Sequence, residues 1–121
     1  MDTITTVAQI IIALGIYNVW FIRYDKDTSW RGGDATNMNE EFAHYGLPQY
    51  LVYVVGFFKL TFATMLVFGL YYSNLVKPAA VGMAILMAFA IAMHLKSRDP
   101  LRKSLPASSI LMLSILVAAQ S

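Results

Sequence analysis

Residues 48–72 read PQYLVYVVGFFKLTFATMLVFGLYY, interrupted by one charge, Lys59. At 1.5 Å rise per residue, a helix of about 20 residues crosses a hydrocarbon core of roughly 30 Å. The stretch carries no polar stripe with which a soluble helix would meet water, so it reads as a membrane span. Ile4–Ile22, Pro78–Leu95 and Leu105–Ala119 are further runs of the same kind. Four spans in one chain predict an all-α fold, an integral membrane four-helix bundle, with residues 1–121 forming a single transmembrane domain.

Composition supports a lipid environment. Of the 121 residues, 58% are hydrophobic and 13% charged, the latter about half the usual share for a soluble domain. The net charge of +2 is small. The basic residues form no patch with interleaved aromatics, which argues against nucleic acid as a partner. There is no cysteine, so disulfides, thiol relays and Cys-ligated metals are excluded, and thiol–quinone exchange with them. The first span carries Asp2 rather than Lys or Arg ahead of it and is longer than a signal core. It therefore reads as the first helix, not a cleaved leader.

Lys and Arg are unevenly placed. Arg23, Lys26 and Arg31 lie between spans one and two, and Lys96, Arg98, Arg102 and Lys103 between spans three and four. Only Lys77 lies between spans two and three, and neither tail has a Lys or Arg. The positive-inside bias puts the two basic connections in the cytoplasm and both termini outside, in a multi-pass protein of the cell inner (cytoplasmic) membrane. Trp20, Tyr24 and Trp30 beyond span one, and Tyr50, Tyr53, Tyr71 and Tyr72 around span two, fit aromatic belts at headgroup level.

The long first connection is organised. Arg31-Gly32-Gly33-Asp34 reads as a turn, followed by a short helix over residues 35–45 with Asp34 or Asn37 as cap and Glu40 in its first turn. Gly46 and Pro48 end it. Ala35, Met38, Phe42 and Tyr45 share a face, so this short amphipathic helix either lies on the membrane surface or folds over the mouth of the bundle. Small residues in rows, Ala80, Ala84, Ala88 and Ala92 on span three, Ala8, Gly15 and Asn18 on span one, Gly56 and Ala63 on span two, predict helix–helix contacts.

Lys59 lies about 14 Å inside the nearer boundary. A charge there costs about 2.5–3.5 kcal/mol on the insertion scale and usually faces the bundle interior or a wet cavity. The alternative is a lysine snorkelling to the surface. His94 ends span three in the same half of the membrane, on one face with Met83, Met87 and Ala90. Its alternatives are a proton-passing group and an interfacial residue at a helix C-terminus. Lys59, His94, Asn18, Gly56 and Met87 form the candidate ligand site. Glu41 and His44 have Glu-x-x-His spacing, but a di-iron bundle needs a second such pair and two more carboxylates. A mononuclear centre on Glu40, Glu41 and His44 has too few ligands, so no metal is expected. The turn around Asp99 and Pro100, flanked by Arg98 and Arg102, reads as a topogenic loop with a local ion pair. No catalytic constellation is complete, and catalytic residues stay unassigned.

Three stretches together carry a resemblance: Phe42-Ala43-His44-Tyr45-Gly46-Leu47-Pro48 leading into span two, Gly56-Phe57-Phe58-Lys59-Leu60 within it, and Ala92-Met93-His94-Leu95-Lys96 closing span three. With four spans and a long first connection, they resemble the DoxX-like family of small bacterial membrane proteins. The resemblance implies a four-helix membrane bundle and a connection to quinone. The family's name comes from a subunit linked to quinone-coupled oxidation of sulfur compounds or quinol, and some relatives act as partners or assembly factors. Three expectations are set beside it. The first is an accessory subunit of a membrane redox system that binds a quinone or other lipid-soluble molecule in the bundle, with enzymatic activity of the isolated chain left unassigned. The second is a non-catalytic assembly or structural partner of other membrane subunits, or a homo-oligomer. The third is a small oligomeric permease or channel, for which the chain shows no internal repeat.

Overall fold

The computed structural model describes residues 3–22, 24, 31–33 and 35–121. Arg23, Lys26, Trp30 and the alternative cap Asp34 lie outside them. Helix α1 spans Thr3–Tyr17 and continues as a π-turn over Asn18–Ile22. A short helix α2 covers Met38–His44, α3 covers Tyr50–Phe68, α4 covers Val76–Lys96 and α5 covers Leu105–Gln120. Single 3-10 turns at Ser73–Leu75 and Leu101–Ser104 lead into α4 and α5. All four long helices, with these extensions, are long and apolar enough to cross a membrane.

Helix α3 stops at Phe68, four residues before the predicted end of the span. Gly69 is the reason: a Cβ there would stand 2.5 Å from Val76, so glycine lets the chain turn tightly into α4. Leu70, Tyr71 and Tyr72 then lie exposed in the turn, where composition alone does not separate them from the helix.

Helices α1 and α4 each pack on both α3 and α5, closing a ring of four. Ile12, Val52, Ala63, Leu66, Met83 and Val117 are fully buried at its centre. Between 17% and 39% of each apolar window is buried, so most of these helices' surface is left for lipid. Ile4, Leu14, Phe57, Ile85, Met112 and Ile115 face outward accordingly. The alanine row of span three departs from expectation. Ala80 is buried, but Ala88 and Ala92 are exposed, and Ala84 and Ala88 edge a shallow outward groove against α5. The inward face of α4 is Val76, Ala79, Ala80, Met83, Met87 and His94.

Candidate functional site

A cavity of about 680 Å³ opens in the half of the bundle that carries α2, with residues of all five helices on its wall. That volume suits a drug-sized or lipid-like molecule. Most of the wall is apolar: Ile16, Val19, Phe42, Val55, Leu86, Met87 and Phe89 contribute to it.

Its α1 side is shaped by the π-turn. One extra residue per turn rotates the side chains beyond it, and such turns often mark functional positions. Here Trp20 is brought inward and buried, while Phe21 and Ile22 stay outside. The Trp20 ring lies against Gly56 of α3, where a Cβ would come within 2.6 Å of ring carbon Cζ3. The Lys59 ammonium stands 5.7 Å from the centroid of the same ring, a cation–π distance. The Trp20 indole N–H is buried without a hydrogen-bond partner among the described residues.

Helix α2 covers the mouth. Asn37 caps it, its side chain accepting the Glu40 N–H at 2.9 Å. The Glu40 carboxylate in turn accepts from the Asn37 amide and the Thr36 hydroxyl. At the other end Gly46, at φ +77°, allows the Leu47 N–H to reach the Phe42 carbonyl and the Gly46 N–H to reach that of Ala43, a Schellman closure. The apolar face predicted from spacing, Ala35, Met38, Phe42 and Tyr45, is buried, with Met38 and Phe42 in the common core.

A polar network ties this cover to the bundle. Arg31 donates to Glu41 Oε2 at 3.1 Å, while Glu41 Oε1 accepts from the Gly32 N–H and the Tyr45 hydroxyl, each at 3.1 Å. The Tyr45 hydroxyl is also 3.2 and 3.3 Å from the two ring nitrogens of His94. His94 Nδ1 lies 2.9 Å from Asp99 Oδ2. Asp99 Oδ1 accepts the Gly33 N–H at 3.1 Å and lies 3.5 Å from His44 Nε2. Lys103 donates to the Gly33 carbonyl at 2.7 Å. The first connection, α2 and the α4–α5 turn thus meet at one point.

Backbone geometry puts Asp99 there. Arg98 takes the left-handed conformation, φ +57°, and the Asp99 N–H reaches back to the His94 carbonyl. This second Schellman-type closure folds Asp99 under the imidazole. Burial pushes the Asp99 carboxyl up, but hydrogen bonds from His94 and the Gly33 N–H, with the charges of His94 and His44, hold it below its ordinary value. Burial, then the charge and hydrogen bond of Glu41, then the charge of Asp99 push the Tyr45 phenol well above its ordinary range, against Arg31.

Of the five residues named from sequence, Lys59, His94, Asn18 and Met87 lie on this one cavity wall. Gly56 does not line the cavity; it sits behind Trp20 and makes room for the ring. Glu40, Glu41 and His44 hold different partners: the Thr36–Asn37 cap, the Arg31–Gly32 turn and Asp99, respectively. Asp99 itself, read as part of a topogenic turn, is buried among Gly33, His94 and His44. Trp20, Tyr45 and Lys103 are further site residues that the sequence reading does not single out. The Glu-x-x-x-Tyr spacing of Glu41 and Tyr45 puts both on one helical face, and an acid five residues after His94 fits a C-terminal cap, so signals for Tyr45 and Asp99 are present in the chain.

The family model described as the DoxX-like family matches residues 31–119. The match takes in α2 to α5 and the Arg31–Gly33 turn, hence the whole polar network. No curated protein and no solved structure matches the chain.

Proposed function

Taking as premise that the chain belongs to the DoxX-like family and is a multi-pass membrane protein, we propose that it is an accessory component of a membrane redox system. In this reading it binds a quinone or similar lipid-soluble molecule inside the bundle. The observation that carries the reading is the Lys59 ammonium, on the wall of an apolar cavity, with the Trp20 face beside it and no hydrogen bond or ion pair among the described residues. Intramembrane charges of this kind are functional positions by default.

The residues present suit a ring with oxygen substituents. Lys59 donates to an oxygen, Trp20 and Phe89 offer flat apolar surface, and Met87 adapts to its outline. A quinone supplies two-electron, two-proton chemistry when bound. His94, hydrogen-bonded toward Asp99 and close to the partly exposed His44, is placed to hold or release a proton at the surface end of the cavity. In the same reading the α2 side of the bundle faces the cytoplasm of a bacterial inner membrane and both termini lie outside. Arg31, Lys96, Arg98, Arg102 and Lys103 support that orientation.

A second reading, an assembly partner of a larger membrane complex, has its own support. Half-buried Ala84 and exposed Ala88 edge an outward groove between α4 and α5, and small residues let a neighbouring helix approach closely.

Native mass spectrometry of the protein extracted gently from its own membranes, with lipid extraction alongside, tests the first reading. A co-purifying quinone that disappears in Lys59→Met supports it. An empty bundle with a defined protein partner sinks it in favour of the second.

A further inference from the structure

The cavity wall has a one-sided hydrogen-bonding balance. Glu41 is its one carboxylate among the described residues, and both oxygens are committed, to Arg31, the Gly32 N–H and Tyr45. His94 is committed to Asp99 and Tyr45. The capacity left unspent is almost entirely that of donors. Lys59 has no hydrogen bond or ion pair with the described residues; it meets the ring of Trp20 and feels the charge of Glu41 without pairing with it. Trp20, 7% exposed, presents its ring to the wall, while its indole N–H is shut off from the cavity space and has no acceptor among the described residues. Lys103 uses one donor on the Gly33 carbonyl and has two more. Asn18 and Ser109 add only neutral groups to the wall.

Donors in a low-dielectric pocket stay costly until an acceptor arrives. A neutral carbonyl oxygen satisfies an N–H but leaves the Lys59 charge without a direct ion pair, its nearest acid, Glu41, being held by Arg31. A negatively charged oxygen does both, and charge-assisted bonds of this type are about twice as strong as neutral ones. The remaining wall offers mostly apolar surface to the rest of the molecule.

We infer that the cavity selects an amphiphile with an anionic oxygen head, a long-chain carboxylate or an ionised ring hydroxyl, held by Lys59 beside the Trp20 ring with its tail along Val55, Leu86 and Met87. This rests on reading the cavity as a site for a lipid-soluble molecule, and adds a charge requirement that a neutral quinone does not meet.

Binding of four probes to the purified full-length chain in a non-ionic detergent tests this. The probes are oleate, methyl oleate, a decyl-substituted 2-hydroxy-1,4-naphthoquinone, which is anionic at neutral pH, and neutral decylubiquinone. At least one acidic probe binds about tenfold or more tightly than its neutral counterpart, the factor that corresponds to about 1.4 kcal/mol. Preference for oleate assigns the head to a carboxylate, and preference for the hydroxynaphthoquinone to a ring hydroxyl. Lys59→Met loses the discrimination with its helical circular dichroism unchanged, and Lys59→Arg keeps it. The wild-type comparison of acid with neutral probe stands even where a variant fails to fold. Equal binding of acidic and neutral probes overturns the charge requirement. Binding of decylubiquinone alone overturns it and leaves the lipid-soluble-ligand reading intact, whereas binding of none of the four removes both.

Discussion

Asp99→Asn tests whether the cover over the cavity is fastened electrostatically. The carboxylate is 5% exposed and holds the Gly33 N–H through Oδ1 and His94 through Oδ2. Asparagine keeps an oxygen for Gly33. On the other side it presents an amide N–H₂, which cannot accept from His94 Nδ1–H, and the charge facing His44 is gone. A hydrogen bond to a charged group contributes about 1.5–3 kcal/mol and part of the Gly33 bond survives, so the expected loss at pH 7 is about 2 kcal/mol. The pH dependence fixes the cause. Asp99 is held below its ordinary value of 3.8, so the unfolded chain takes up the proton first. Its stabilisation is complete above about pH 4 and is lost as pH falls through the lower folded value. Thermal unfolding in detergent, followed by circular dichroism from pH 7 down to about pH 2.5, should show the variant melting lower at neutral pH. The two curves should converge in acid. A gap that is absent at pH 7, or that stays constant down to the acid limit, refutes the electrostatic fastening.

Other variants probe neighbouring parts of the site. Gly56→Val places a Cβ within 2.6 Å of the Trp20 ring and pushes the ring toward the cavity. A loss of about 1–3 kcal/mol is expected, and an unchanged melting temperature would show that the ring yields freely. Arg98→Gly relieves a left-handed backbone at φ +57° and should raise stability by about 1 kcal/mol; a lower melting temperature counts against a strained turn. Tyr45→Phe removes the hydroxyl shared by Glu41 and His94 and should cost about 1–2 kcal/mol near neutral pH. Because burial and Glu41 raise the Tyr45 phenol, its contribution is complete below about pH 10 and falls as pH rises beyond it. An alkaline unfolding curve of the variant that parallels wild type would contradict this.

Why some of the site is legible in the sequence and some is not depends on how each residue is positioned. Lys59 stands out in any reading because one charge breaks an apolar run. Met87 and His94 come from helical spacing, which survives in a straight helix such as α4. Trp20 looks like an interfacial aromatic because it lies at the end of span one, and only the π-turn, which leaves no mark in hydrophobic periodicity, swings it inward. Gly56 shares a face with Lys59, yet that face is occupied by the Trp20 ring, so a correct periodicity leads to the wrong neighbour. The Gly33–Asp99 bond joins positions 66 residues apart and depends on a left-handed arginine, a conformation for which sequence gives little warning. The alanine row fails for another reason: in lipid, small residues on a helix do not say whether the close neighbour is in the same chain.

The surplus charge of the cavity depends on a residue outside the spans. A cation at the depth of Lys59 costs about 2.5–3.5 kcal/mol to insert, and the obvious relief is the one acid on the same wall, Glu41. The charge of Glu41 does reach Lys59, but Arg31 shares it and limits that relief. Its guanidinium takes Glu41 Oε2 at 3.1 Å while the Gly32 N–H and Tyr45 take Oε1, and the same contacts hold α2 over the mouth. Closing the cover and leaving Lys59 without an ion pair of its own among the described residues are therefore a single arrangement. If that surplus were accidental, a small apolar bundle would gain by losing either Arg31 or Lys59. Keeping both makes physical sense when a ligand supplies the missing negative charge from within the closed cavity.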